Sequence, residues 1–477
     1  KTVATGEIKR SEEAVWVTTQ MRRDPAEIRK LFERKVRGVQ ISTKETCEMH
    51  KTTVTIYLIA LWLTTATGVA QALTPVERLG KSIFFDENLS SNHNQSCAAC
   101  HKPEVGWTGP DPALNAMGTV YEGSIPGRFG NRKPPSSAYA TFSPILHHVI
   151  KKKDVVFIGG NFWDGRATGE KLGNPAADQA QGPFLNPLEQ ALSGPADVVS
   201  RVCGSSYADL FQQVWGSDAC DPSKVKTAFD NIARSIAAFE ASSESNAFTS
   251  KYDYYLKGLV RLTKEEKKGL DLFQSKGKCA NCHIVDPGPK GQRPLLTDFT
   301  YDNLGVPRNP DNPFYTQAEF NPAGYQWIDL GLGGFLASRM DYQQFAPANN
   351  GKQKVPTLRN VDKRPNAGFV KAYTHNGYFK SLKGIVHFYN TRDVKPVCVD
   401  PFTTEAQALA QNCWPAPEVP LNVNKKELGN LHLTEDQEQA IVNQPGKSRE
   451  QALVARLVAD ILQHRAIFGE HVAAVEP

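Results

Sequence analysis

From Val225 onward, apolar residues return at spacings of three and four: Val225, Phe229, Ile232, Ile236 and Phe239. That is the period of an amphipathic helix, and helical patterning covers the whole stretch 193–260. Two shorter patterns echo one another. VERLGKSIFFDENLSSNHNQSCAACH (76–101) and EKKGLDLFQSKGKCANCH (266–283) each place a short amphipathic helix, with a Gly-x-x-Leu/Ile-Phe core, ahead of a loop and a C-x-x-C-H. Stretches 102–136 and 284–356 are rich in Gly, Pro, Asn and Asp and read as long ordered loops. Loops of that length inside a compact domain are usually functional. After Leu433 the helical pattern returns, most clearly in EQALVARLVADILQHRAIF (450–468). The pattern predicts a mostly α chain, an imperfect duplication of two modules joined by much irregular backbone.

One apolar run stands apart. From Met49 the chain reads MHKTTVTIYLIALWLTTATGVAQA: a short basic start, an apolar run from Ile56 to Leu63, then small residues ending Ala70-Gln71-Ala72. This is the layout of a secretory signal, with cleavage after Ala72. The run falls short of the ~20 apolar residues that span a bilayer, which argues against a membrane anchor. A signal peptide begins a protein, so residues 1–48 read as a non-native upstream segment.

Composition excludes little more. The 477 residues are 40% hydrophobic and 22% charged, as in an ordinary globular protein. The net charge of +5 is spread without a basic run, which gives no ground for nucleic-acid binding. Export makes the nine cysteines informative. Cys47 precedes the signal, and four belong to the C-x-x-C-H motifs. The others form two near pairs, Cys203 with Cys220 and Cys398 with Cys413. In an oxidising compartment these suit loop-closing disulfides, with free buried thiols as the other reading.

In C-x-x-C-H, two thiols in one turn add to the haem vinyl groups while the adjacent His reaches the iron. A zinc site would need further Cys/His pairs nearby, and there are none. Two such motifs in an exported chain predict two covalent c-type haems, at Cys97, Cys100 and His101 and at Cys279, Cys282 and His283. The expected architecture is two cytochrome c-like haem domains with long ordered loops, at 73–255 (peroxide-reacting) and 256–477 (electron-transferring).

Those roles rest on a resemblance. The chain is similar to bacterial dihaem cytochrome c peroxidases and the related MauG-type enzymes, from about Pro75 to about Tyr389. Five motifs in the family's order carry it: LGKSIFFDENLSSNHNQSCAACH, FWDGRA (162–167), QAQGPFLNPLEQ (179–190), KVPTLRNV (354–361) and THNGYFKSLKGIVHFYN (374–390). The resemblance implies that Trp163 lies between the haems, that Glu189 is the acid–base group for peroxide cleavage and that Gln179 is its pocket neighbour. Spacing alone would leave Glu189 on a solvated helix face and Trp163 in a core. A Ca²⁺ between the haems is typical of the family, but Lys133 stands where its Asn ligand is expected.

Two departures shape the functional reading. Many of these peroxidases carry a His that caps the first haem. Between His101 and Trp163 this chain has only His147 and His148, too far along, and Met117 in a loop. An open sixth position is expected. At the second haem, the position that holds Met in many peroxidases holds Tyr389, as in MauG-type enzymes. A phenolate is a hard donor that favours ferric iron. The other reading makes Tyr389 a helix-face aromatic and Met340 the ligand. The chain is therefore expected to be an exported, periplasmic oxidoreductase that uses hydrogen peroxide. It would draw electrons from a small donor protein (a cytochrome c or cupredoxin) or oxidise a protein substrate as MauG does. The contrasting expectation is a non-catalytic dihaem electron carrier. A homodimer is compatible with the resemblance.

Overall fold

The computed structural model describes residues 72–443 apart from residue 153. Cys47, nearly all of the expected signal and the 450–468 pattern lie outside the described residues. Helix α1 (Pro75–Phe84) begins at a capping box in which Thr74 Oγ1 accepts the Glu77 N–H and the Glu77 carboxylate accepts the Thr74 N–H. A short turn of helix, α2 (Cys97–Cys100), carries the first thiol pair. Then come α3 (Pro175–Ala180), α4 (Pro195–Cys203), α5 (Ala208–Trp215), the long α6 (Val225–Ala241), α7 (Lys251–Leu256) and α8 (Lys264–Gln274). The later helices are α9 (Gly331–Ala337), α10 (Leu382–Thr391) and α11 (Glu435–Val442). Strands are few: an antiparallel hairpin of β1 (His147–Lys151) and β2 (Asp154–Ile158), and a two-residue pair of β3 (Tyr301–Asp302) with β4 (Gln353–Lys354).

The periodicity read in the sequence is the buried face of α6. Phe229, Ile232, Ile236 and Phe239 point into the core, and α1, α3 and α4 pack around them. The closest approach is at Gly80. A Cβ there would lie 1.8 Å from the Ser235 carbonyl oxygen, so a side chain would push α1 off α6. Phe84, Trp107 and Phe239 then meet edge-to-face at 5.5–5.8 Å.

Helix α8 repeats this start ahead of the second motif. Thr263 and Glu266 form its capping box, and Gly269, Leu270 and Phe273 are its buried residues. It packs on α11, which in turn packs on α10. Their shared core contains Leu270, Phe273, Val285, Leu296, Leu431, Leu433 and Ile441. The helices that lead into the two haem motifs are thus alike in their caps and buried faces.

The stretches read as loops are ordered by side chains that satisfy the backbone. Asn309 Nδ2 donates to the Met117 and Asn376 carbonyls, and Asn115 Nδ2 to those of Gly109 and Val370. Such bonds replace the ladders that irregular chain lacks. Stretch 284–356 is not loop throughout, since it contains α9 and both strands of the β3–β4 pair. Both near-pairs of cysteines are disulfides, Cys203–Cys220 and Cys398–Cys413. No helix among the described residues is long and apolar enough to cross a membrane.

Candidate functional site

The two C-x-x-C-H motifs, far apart in the chain, open on one cavity of about 840 Å³. Cys97, Cys100, His101, Cys279, Cys282 and His283 all line it, and so do Trp163, Gln179, Glu189 and Tyr389. Every site residue expected from the sequence is thus brought to one place.

Each motif histidine is oriented in the same way. His101 Nδ1 lies 3.2 Å from the Trp107 carbonyl oxygen, and His283 Nδ1 lies 2.9 Å from that of Leu296. A ring whose Nδ1 gives its hydrogen to a carbonyl keeps Nε2 free as a metal donor. Burial lowers the His101 pKa to about 4 and lowers that of His283, which favours the neutral ring that metal coordination requires. Paired thiols on single turns, neutral histidines with a free nitrogen and largely apolar walls fit two covalently attached haems.

Trp163 is buried, and its indole Nε1 donates to the Lys133 carbonyl oxygen at 2.8 Å. The turn that presents it is tight. Gly165 has φ +78°, and a Cβ there would sit 2.4 Å from the Tyr301 hydroxyl. Backbone bonds to later segments flank it: Lys354 N–H donates to the Trp163 carbonyl, and Lys133, whose carbonyl holds the indole, gives its own N–H to the His375 carbonyl, both at 2.8 Å.

Glu189 hangs from a loop tied to the first motif's approach, where Ser124 N–H donates to its carbonyl and Ser91 N–H to that of Gln190. Burial raises its carboxyl pKa, only partly offset by the Arg166 charge and a hydrogen bond with Asn186. A carboxyl whose neutral form is favoured in this way is suited to taking up a proton and handing it on. Gln179 stands on α3 in the same wall.

Tyr389 lies on α10, against the cluster that includes Phe273, Leu296 and Cys279. Burial, with smaller contributions from Cys279, Asp302 and Cys282, pushes its phenol well above the ordinary value. Of the other ligands considered, Met340 is 89% exposed and Met117 60% exposed. His147 and His148 lie on the exposed β1. None of these four lines the cavity.

Several lining residues, Lys133 apart, were not singled out from the sequence. Lys133, Lys354 and Lys371 bury their ammonium groups in the wall. Lys371 Nζ donates to the carbonyls of Val105, Asn360 and Lys363, and Lys354 Nζ to Ser143, Gly160 and Asn161. Burial lowers Lys354 to about 7 and Lys133 to about 8, and raises the carboxyl of Glu240, also in the wall, to about 8. His375, Asp329, Glu418 and Arg132 form an ionic group beside Trp163. The sequence signal for two of these was slight: Lys354 and His375 fall inside motifs quoted for other residues.

A helical fold that gathers two haem-attachment motifs, a cavity-lining carboxyl and a buried Trp around one cavity fits a dihaem oxidoreductase. The comparisons agree. A family model for di-haem cytochrome c peroxidases matches residues 75–261. The methylamine utilization protein MauG of Paracoccus denitrificans is 32% identical over 378 residues, 78% of this chain and 88% of that protein. The cytochrome c551 peroxidase of Pseudomonas aeruginosa is 34% identical over 312 residues, 65% of this chain and 69% of that one. Among solved structures, the diheme peroxidase BthA of Burkholderia thailandensis superposes with a TM-score of 0.64 at 26% identity, covering 78% of this chain and 85% of its own. The chain belongs to the dihaem cytochrome c peroxidase and MauG family. It is a peroxide-dependent oxidoreductase with two c-type haems.

Proposed function

We propose that this chain uses hydrogen peroxide to oxidise a protein substrate, in the manner of MauG, more readily than it takes electrons from a high-potential donor such as a cytochrome c or cupredoxin. The observation that carries this reading is the placement of Tyr389 in the wall shared with Cys279, Cys282 and His283, while Met340 is out in solvent. Bound by its thiols and histidines, the haem pair supplies the electron-transfer chemistry of iron. Tyr389 offers the second haem a phenolate, a donor that favours the oxidised metal. Glu189 takes a proton from one peroxide oxygen and returns it to the other, with Gln179 beside it. Trp163, packed between segments from both halves of the chain, couples the two sites. The cavity wall offers no methionine among the described residues. Its third histidine, His375, faces Asp329 and Glu418, so beside His101 and His283 the described lining would offer a haem no other histidine or thioether, which would leave peroxide room to bind. A Tyr-to-Met variant of the Burkholderia thailandensis diheme peroxidase has itself been solved, and the same exchange is informative here.

Calcium fits this chain poorly. At the position expected to give an Asn oxygen, Lys133 Nζ donates to Thr108 Oγ1 and the Pro134 carbonyl at 2.9 and 3.0 Å. That places a fixed cation where a ligand oxygen would be needed, and no step is assigned to calcium. The two disulfides suit an oxidising compartment and support a periplasmic location. A purely electron-carrying role would leave the cavity-facing carboxyl of Glu189 without a use.

Low-temperature EPR of the ferric protein tests the reading. One high-spin haem and one low-spin His/Tyr haem are expected, and Tyr389→Phe should abolish the low-spin signal. A sulfur–iron charge-transfer band in the wild type, or an intact signal in the variant, would remove Tyr389 as ligand and favour an ordinary cytochrome peroxidase.

A further inference from the structure

The helices that lead into the two haem motifs are alike in fold and unlike in charge. Between Pro75 and His101 there is one lysine, Lys81, and it pairs with Glu244 at 2.6 Å. Arg78 in the same stretch turns to the Leu73 carbonyl. Between Lys264 and His283 there are five lysines. Lys264, Lys267 and Lys268 are exposed on α8, where they line a shallow depression with Asp271, Leu272 and Ser275. Lys276 and Lys278 come next, on the approach to Cys279. Lys425 and Lys426 stand beside them, since Lys278 Nζ donates to the Lys426 carbonyl at 2.8 Å. All seven side chains are exposed.

Among the described residues none of the seven forms an ion pair. The bonds they make go to neutral oxygens: Lys276 Nζ donates to the His432 carbonyl and to Gln437 Oε1, and Lys278 Nζ to the Lys426 carbonyl. Such bonds hold a charge in place without cancelling it. The nearest acids are mostly engaged elsewhere. Glu266 pairs with Lys251 and Glu435 with Lys383, while the Glu427 carboxylate accepts the amides of Asn281 and Asn424. That leaves exposed Glu265, Asp271 and Asp436 against seven lysines. Over residues 73–443 acidic and basic residues are almost equal in number, so the excess belongs to this face. The second haem turn opens on it: no residue of Cys279–Asn281 is buried, whereas Ala98 is buried in the first turn. A positive face of this kind steers and orients a negative one, and acts on the rate of encounter more than on affinity.

We propose that the lysine face of α8 and the second haem turn receives a protein with an acidic surface, which gives up electrons there one at a time. Two such electrons, with two protons from water, convert one hydrogen peroxide into two waters. The inference deepens the proposed function by giving the oxidised protein partner a charge and a place to dock. It rests on that reading only for the direction in which the electrons flow. It does not depend on Tyr389 being a ligand, which the EPR experiment decides separately.

Stopped-flow electron transfer from the chemically reduced holoprotein to ferricytochrome c tests it, and needs no peroxide turnover. Two forms of one probe are compared: native cytochrome c, which is basic, and the same protein with its lysines succinylated, which is acidic. The acidic form should react faster, by roughly tenfold or more at low salt. That advantage should shrink between about 0.01 and 0.15 M ionic strength, as the screening length falls from about 30 to about 8 Å. Lys264→Glu with Lys267→Glu and Lys268→Glu changes only exposed helix positions and should remove much of the preference. Adding Lys276→Glu and Lys426→Glu should reverse it, with haem content retained throughout. Lys151→Glu with Lys152→Glu, on the β1–β2 hairpin, should leave it unchanged. A native form that reacts as fast as the acidic one overturns the proposal. So does a preference that survives the α8 changes, or one that the hairpin changes reduce equally, since net charge alone would then be responsible. Binding to phosphatidylglycerol vesicles that is lost with the α8 changes, without any preference between the cytochromes, would give the face to an anionic membrane and also overturns it.

Discussion

Lys133 has a double duty that a residue-by-residue reading of the sequence does not show. Its carbonyl holds the Trp163 indole, and its ammonium is buried against Thr108 and Pro134. If that ammonium stands in for calcium, dialysis against a chelator should leave the ferric EPR spectrum and the peroxide reaction unchanged, and elemental analysis should find no bound calcium. A spectrum that changes on chelation and recovers with added calcium would refute this. The other single-residue test is at Glu189. Glu189→Gln keeps the shape of the side chain and removes its proton. By stopped flow, the reaction with peroxide should slow by roughly 10²- to 10⁴-fold, the usual share of a positioned acid–base group. Haem content should stay the same, and unaltered kinetics would take Glu189 out of the mechanism.

At the scale of elements, a buried ion pair joins α7 to the KVPTLRNV segment. Arg359 Nη1 and Nη2 donate to the two Asp253 carboxylate oxygens at 2.9 and 3.0 Å, and its Nε donates to the Pro294 carbonyl. The guanidinium lies 4.3 Å from the Phe248 ring centroid and 5.2 Å from that of Tyr139. Asp253 is 2% exposed. Arg359→Met strands that carboxylate and should cost about 3–5 kcal/mol in chemical denaturation. The pH dependence should change sign as well. In the wild type, burial alone would raise the Asp253 pKa, but the bonds from Arg359 and Ser250 hold it below its ordinary 3.8. The contribution of the pair is therefore complete above about pH 4 and is lost as pH falls through the lower, folded value. With Arg359 gone, burial is the main remaining influence, so mild acid should stabilise the variant relative to neutral pH.

What the sequence disclosed follows the same division of scale. The helices around α6 and the two haem-bearing turns were legible, because caps, periodicity and C-x-x-C-H are local signals among residues a few positions apart. Trp163, Glu189 and Tyr389 were legible only through the order of five motifs. The Arg132–Asp329–Glu418–His375 group was not legible at all. Its members come from four separate segments, and nothing in the spacing of an Arg at 132 and a Glu at 418 says that they meet. Buried lysines were missed for the opposite reason: a Lys is normally a surface residue, and only the carbonyls gathered around Lys354 and Lys371 explain why these are not.

For the molecule as a whole, the two backbone bonds that flank Trp163 have a consequence for any attempt to take the protein apart. They join Lys354 to Trp163 and Lys133 to His375, and both run between the proposed 73–255 and 256–477 halves. The proposed boundary therefore separates two haem-attachment modules without passing through a natural seam. Expressed as separate polypeptides, each half should still acquire its haem, since each has its own thiols, histidine and orienting carbonyl. Neither should hold the indole in register, because the carbonyl that accepts its N–H is on one fragment and the strand that clamps its backbone is on the other. Mixed together, the fragments should regain joint oxidation of the two sites only as far as they reassociate, with a dependence on concentration that the intact chain lacks. Covalent continuity would then be what makes two cytochrome modules a single redox unit.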